Sequence, residues 1–506
     1  MPSQTPRLSP RALPRRARRR LPLLALLALA QLAGCAKRAP SASYEMQAAP
    51  AGLAMADQEA YAEIAENQFM DVEQAAVSTF SIDVDTASYS NARRFLSQGQ
   101  RPPADAVRVE EFINYFSYDY APPSADAHPF SVHTEIADCP WNDEARLLHI
   151  GLQGQAIELG QLPPRNLVFL LDVSGSMESP NKLPLLRRAM KLLVSTLGPQ
   201  DHVSIVVYAG ASGVVLPPTS GADQHQIMAA LDRLQAGGST NGGAGIERAY
   251  ALARDNFQPD AINRVILATD GDFNVGNTSM GGLERLIERE RESGVFLSVL
   301  GLGTGNLKDE TMEMLADKGN GNYAYLDSIS EARKVLVEEA GATLMTIAKD
   351  VKIQVEFDPD QISSYRLIGY ENRLLDAQDF DDDRKDAGEI GAGHSVTALY
   401  ELVPSAAFER ELALAELRLR YKAPDGEQSQ LLTFPLLDAG EGLQLSSDDF
   451  RFSAAVAEFA MLLRDSPHKG SASWGSAREL AQSALGQDRG NYRREFLELL
   501  SRAETL

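Results

Sequence analysis

Four short, nearly continuous apolar runs recur between Asn166 and about residue 343. They are LVFLL (Leu167–Leu171), VSIVVY (Val203–Tyr208), RVILAT (Arg264–Thr269) and VFLSVL (Val295–Leu300). A strand that is apolar on both faces needs cover on both faces, which is the situation in a parallel sheet sandwiched by helices. The intervening segments supply those helices. In KLPLLRRAMKLLVSTL, Leu186, Ala189, Met190, Leu193 and Leu197 share one face, and ADQHQIMAALDRL, GAGIERAYALARDNF and LERLIERERESG fill the later gaps. The pattern predicts an α/β domain, doubly wound and Rossmann-like, over residues 161–345.

The flanks read differently. FSVHTEI (Phe130–Ile136) and ARLLHIGLQG (Ala145–Gly154) precede the α/β domain. VKIQVEF (Val351–Phe357), HSVTALYEL (His394–Leu402) and LRLRY (Leu417–Tyr421) follow it. All alternate apolar with polar residues, as half-buried antiparallel strands do. We expect a β-sandwich with the α/β domain inserted between its halves: a helix and strand region at 79–160 and a sandwich region at 346–440. Residues 441–506 should be helical, with Phe452, Val456, Phe459 and Leu463 on one stripe of FSAAVAEFAMLL.

The N-terminus has a basic segment, PRRARRR, then the apolar LPLLALLALAQL, then Ala33-Gly34-Cys35. The apolar run is too short to span a bilayer comfortably and fits an export signal over residues 1–34. L-A-G-C resembles the bacterial lipobox, which implies lipidation at Cys35. Residues 35–78, rich in Ala, Ser, Gln and Glu, read as a disordered tether. The net charge is −22, and removal of a basic leader would leave a still more acidic body. Such a surface repels nucleic acid and suits cations or basic partners. With Cys35 lipidated, Cys139 has no intramolecular partner and reads as a small buried hydrophobe.

In doubly wound sheets ligands bind beyond the carboxyl ends of the strands. Asp172, Ser174 and Ser176 follow the first run, Asp270 ends RVILATD, and Thr240 sits in the glycine-rich AGGSTNGGAGI. Each alone reads as a helix cap or turn residue; together they offer two carboxylates and three hydroxyls. That set suits Mg²⁺, whereas zinc or copper would call for His or Cys. Neutral hydroxyls also leave the ion's charge uncancelled, so it still attracts an external carboxylate. D-V-S-G-S, Thr240 in STNGG and Asp270 in ATDGD resemble the metal-ion-dependent adhesion site of von Willebrand factor type A domains. The resemblance implies that Ser174, Ser176 and Thr240 ligate the metal directly or through water. It also implies that Asp172 and Asp270 act largely through water, and that a partner's Glu or Asp fills an open position. Glu178, Asp272 and Asn274 stand near enough in sequence to support the ligands. FSIDVDTASYSNARRFL, CPWN (Cys139–Asn142) and FDPDQISSYRLIGYENRLL resemble bacterial von Willebrand type A lipoproteins, and with the metal motifs they cover most of the mature chain.

These readings lead to a non-enzymatic protein-binding module in the cell envelope. It would be held by lipid to the outer membrane, facing periplasm or exterior, since Ala36 is not the aspartate of inner-membrane retention. The sandwich and helices are expected to hold the metal edge away from the membrane. The competing expectation is a Mg²⁺-dependent hydrolase or phosphatase. Such an enzyme needs a base or nucleophile beside the metal, yet the site loops carry no His or Cys and the chain has no G-x-S-x-G elbow. GLGTGN (Gly301–Asn306) reads as a turn, Asp85 or Thr86 of DVDTAS as a helix cap, Lys182 as a solvated helix-start residue, and DFDDDR (Asp379–Arg384) as a solvated acidic loop.

Overall fold

The computed structural model describes residues 59–124, 128–271, 279–410 and 412–506. The expected signal segment, Cys35, the first part of the expected tether, Asp272 and Asn274 lie outside them. The central sheet has six strands: β1 (Arg165–Asp172), β2 (His202–Tyr208), β3 (Ser212–Ser220), β4 (Ile262–Thr269), β5 (Phe296–Leu302) and β6 (Tyr323–Leu326). Their order is β6-β5-β4-β1-β2-β3. All neighbours run parallel except β3, which pairs antiparallel with β2 at the edge. Alternate residues of β1 serve opposite helical layers. Leu167, Phe169 and Leu171 pack with Leu186, Met190 and Leu193, while Val168 and Leu170 pack with Ile246, Ala249 and Tyr250. This two-sided burial is why the run is apolar at every position.

The flanking strands close into the expected sandwich. In one sheet, Ser395–Pro404 pairs with Arg146–Gly154 from before the inserted domain. In the other, Thr346–Phe357 pairs with Val77–Ser81. The two inner faces share one core that includes Leu148, Ile150, Ile353, Val355 and Tyr400. The three last helices, Asp448–Leu463, Trp474–Ser483 and Tyr492–Glu504, pack on helices Ala87–Ser97 and Val109–Asn114. Their shared core is aromatic: Phe116 and Phe452 ring centroids are 4.9 Å apart, and Phe459 and Phe496 are 5.0 Å apart, within the range of favourable edge-to-face pairs. The CPWN segment serves this architecture. Trp141 is buried and donates its indole N–H to Glu401 at 2.8 Å, and Glu401 also takes the Arg366 guanidinium.

The chain is engaged with this body from Glu59, earlier than the expected end of the tether. Glu59 pairs with Arg94 at 2.8 Å, Asn67 donates to the Gly369 carbonyl at 2.8 Å, and Met70 pairs with Tyr365. Among the described residues no helix is long and apolar enough to cross a membrane.

One glycine fixes where the inserted domain re-enters the sandwich. A Cβ on Gly391 would meet the Ala342 carbonyl oxygen at 1.8 Å. Gly391→Ala is expected to destabilise the chain by about 2 kcal/mol, the cost of overpacking a closed backbone contact, measured by urea unfolding.

Candidate metal centre

The strand order reverses between β1 and β4, and both of the site's carboxylates arise at that switch point. Leu171 pairs with Ala268, so Asp172 and Asp270 leave the sheet from adjacent strands at the same edge. Both are fully buried. Asp172 Oδ1 accepts the Ser174 backbone N–H at 2.8 Å, and its Oδ2 accepts the Thr269 hydroxyl at 3.1 Å. The first bond folds the D-x-S turn back on itself and brings the Ser174 and Ser176 hydroxyls to 2.9 Å from one another. Ser174 is buried and Ser176 exposed, so the pair spans from the sheet edge to solvent.

The glycine-rich loop is strapped to the same turn. Gly237 N–H donates to the Val173 carbonyl at 2.8 Å, and Gly175 N–H donates to the Gly238 carbonyl at 3.0 Å. Thr240 stands two residues beyond, half-buried, just before helix Gly242–Asp255. The structure therefore brings the Asp172–Ser176 turn, the Thr240 loop and the end of β4 to one edge. Glu178 is exposed, and Asp272 and Asn274 lie outside the described residues.

The donor set fits a hard cation. Burial raises the Asp172 carboxyl to about 6, opposed by its bonds to Ser174 and Thr269 and reinforced by the charge of Asp270. Two buried carboxylates at one sheet edge favour a positive charge between or beside them. Part of that charge is already supplied by the chain. Lys182 is buried, not solvated, and its Nζ donates to Asp270 Oδ2 and to Asn306 Oδ1, each at 2.9 Å. Its stem passes over Gly303, where a Cβ would meet Lys182 Cε at 2.2 Å; Gly303 also has φ +79°, a conformation that suits glycine. The GLGTGN turn thus holds the lysine in place. Sequence reasoning missed this pairing, although a signal existed. A cation at the start of helix Leu183–Val194 opposes the helix dipole and calls for an acidic partner.

Replacing Lys182 with Met leaves Asp270 buried without this partner. We expect a loss of about 3 kcal/mol in chelator, as for breaking a buried ion pair, with a larger gain in melting temperature on adding Mg²⁺ than the unaltered chain shows. Thermal unfolding with Mg²⁺ and with EDTA measures both.

The other sequence candidates have structural roles. Asp85 Oδ1 accepts the Tyr323 N–H at 2.7 Å, and Thr86, at the helix N-cap position, makes no side-chain cap bond. The DFDDDR loop is pinned by basic groups: Lys352 Nζ donates to the Asp379 and Asp382 carbonyls at 2.9 and 2.6 Å, and Arg420 pairs with Asp381 and Asp383. Those carbonyls are thereby engaged by an ammonium. Cys139 is buried and free, and burial pushes its thiol well above the ordinary range, which makes it unreactive.

Comparison with known proteins agrees with this fold. Residues 166–338 match the model of the von Willebrand factor type A domain, residues 55–149 match that described as von Willebrand factor, and residues 342–506 match that described as uncharacterized protein YfbK, C-terminal. The uncharacterized protein YfbK of Escherichia coli K12 is 43% identical over 496 residues, covering 94% of this chain and 86% of that protein. Human inter-alpha-trypsin inhibitor heavy chain H2 is 24% identical over 183 residues, 34% of this chain and 19% of that protein. A solved von Willebrand factor type A protein from Catenulispora acidiphila is 16% identical, with TM-score 0.42, covering 74% of this chain and 91% of that one. With a relative so similar over nearly its whole length, the chain belongs to the YfbK family of bacterial proteins built around a von Willebrand factor type A domain.

Proposed function

We propose that the chain is a lipid-anchored protein of the cell envelope that captures a partner protein through a Mg²⁺-dependent adhesion site. The observation that carries this reading is the gathering of Asp172, Ser174, Ser176, the Thr240 loop and Asp270 at the switch point of the sheet. Ser174, Ser176 and Thr240 would hold the ion, with Asp172 and Asp270 behind them. When bound, Mg²⁺ supplies a strongly charged centre with a coordination position for a carboxylate from outside. The chain's own groups prepare that place. Asp172 shapes the serine turn, Thr269 fixes Asp172, and Lys182 with Asn306 fixes Asp270. The exposed Ser176 marks the side from which a partner's Glu or Asp arrives.

The anchor is assigned to Cys35, in the outer membrane. Glu59 accepts the Gly305 N–H at 2.8 Å, next to the Asn306 that holds Lys182. The 24 residues from Cys35 to Glu59 reach at most about 80 Å when extended, ample for the site to face a partner. Cys35→Ser is expected to move the protein from the membrane to the soluble fraction.

The direct test immobilises the full chain and exposes it to membrane extract with Mg²⁺ or EDTA. A partner retained only with Mg²⁺, and lost with Ser174→Ala, supports the reading; equal retention in EDTA contradicts it. The chain is proposed not to be an enzyme, because Lys182, a basic group at the site, is engaged by Asp270 and Asn306. Phosphatase turnover abolished by Asp172→Ala would favour the hydrolase instead.

A further inference from the structure

A second collection of carboxylates lies away from the sheet edge, in the seam between the N-terminal segment and the inserted domain. Asp83 follows strand Val77–Ser81, Glu111 lies in helix Val109–Asn114, and Glu313 lies in helix Asp309–Lys318. All three are buried, and each offers a carboxylate oxygen within 4.8 Å of the other two. Two further buried carboxylates adjoin them: Asp85 and Glu110 are 2% and 1% exposed.

Two guanidinium groups serve this cluster incompletely. Arg108 pairs with Glu111, with Asp309 at 2.6 Å and with Glu313 at 3.5 Å. Arg373 reaches Asp317 at 2.6 Å but stands 3.3 Å from Asp83, 3.6 Å from Glu313 and 3.7 Å from Asp85. Asp83 Oδ2, Asp85 Oδ2 and both oxygens of Glu110 are buried with no hydrogen-bond partner. Glu110 lines a cavity of about 240 Å³ together with Arg108, Glu313 and Glu371. A buried carboxylate without a hydrogen-bond partner is costly; Glu110 has none on either oxygen, and Asp83 Oδ2 and Asp85 Oδ2 have only the Arg373 charge, at 3.3 and 3.7 Å.

We infer that a calcium ion binds between Asp83, Glu111 and Glu313 and staples the N-terminal segment to the inserted domain. The all-oxygen set excludes zinc and copper. Calcium suits the site better than magnesium because it takes carboxylates directly in a flexible geometry, whereas magnesium demands near-octahedral coordination and keeps several waters. Asp83 Oδ2, which has no hydrogen-bond partner, is one acceptor, and Glu111 and Glu313 supply others of calcium's roughly six to eight positions. The alternative way to relieve the same charge is protonation. Burial, reinforced by neighbouring acids, raises Glu111 to about 7 and Glu313 to about 8, even against Arg108.

Calorimetric titration of the full chain with calcium tests this in an Asp172→Asn background, which disables the sheet-edge centre and keeps the two sites distinguishable. The expected result is one bound calcium per chain, weakened at least tenfold by Glu313→Gln. Crystals of the same Asp172→Asn chain soaked in terbium, a calcium substitute, should show an anomalous peak between the three carboxylates. That location does not depend on any seam variant folding. No calcium uptake by Asp172→Asn, or a terbium peak elsewhere with none at the seam, would overturn the inference.

Discussion

Asp172→Asn is expected to lower Mg²⁺ affinity by more than about a thousandfold, about 4 kcal/mol, while leaving the fold intact. Asp172 is the residue through which the site's parts are tied. It accepts from the Ser174 backbone and from Thr269, and it shares the sheet edge with Asp270. Asparagine keeps the volume and one acceptor oxygen, so the turn has a reason to persist. It removes the negative charge, leaving Asp270, already paired with Lys182, as the other carboxylate of the set. Alanine would be a poorer probe, since it strands two buried donors at about 1–3 kcal/mol each. Isothermal calorimetry with Mg²⁺ measures the affinity, and circular dichroism reports whether the fold is kept. Affinity within about threefold of the unaltered chain would remove Asp172 from the site.

Arg93→Met is expected to cost about 4–5 kcal/mol of stability, measured by urea unfolding, because it breaks a buried hub. Arg93 is 5% exposed and donates to Asp327 at 2.7 and 2.8 Å, Glu331 at 2.6 Å, Tyr115 at 2.8 Å and Glu495 at 3.1 Å. It thereby joins helix Ala87–Ser97, the end of the inserted domain and the last helix. Methionine fills the space of the stem but leaves Glu331 with less compensation. Burial already raises the Glu331 carboxyl, with Arg93 the first influence opposing it, so the variant raises it further. A raised folded-state carboxyl binds more protons than the unfolded chain, and stability then falls as pH rises through that interval. The deficit of Arg93→Met should therefore shrink as pH is lowered from about 8 toward 5, down to the ordinary carboxylate range. A deficit independent of pH would mean that Glu331 is not the group left uncompensated.

The parallel sheet was legible because burial on both faces leaves no room for polar positions, and the Asp172–Ser176 turn at its edge was legible because D-x-S-x-S directly after an apolar strand is a local signal. The split sandwich was legible from the change to alternating periodicity on either side of the insertion. What was not legible is non-local or atypical. Strand β3 contains Pro217 and Pro218, which an edge strand tolerates and a reader of propensities rejects. Strand β6, YAYL, is only four residues long. The burial of Lys182 depends on Gly303, far along the chain, leaving space for its stem. The seam carboxylates carry residue types that usually face solvent, and nothing nearby in sequence announces that Asp83, Glu111 and Glu313 meet. The basic clamp on DFDDDR is likewise non-local, drawn from Lys352 and Arg420.

Anomalous diffraction from crystals grown with Mn²⁺ in place of Mg²⁺ tests the central claim most directly. The account predicts a peak beside the Ser174 and Ser176 hydroxyls, close to Thr240 and with Asp172 and Asp270 behind it. Full manganese loading with no peak at that edge would contradict it.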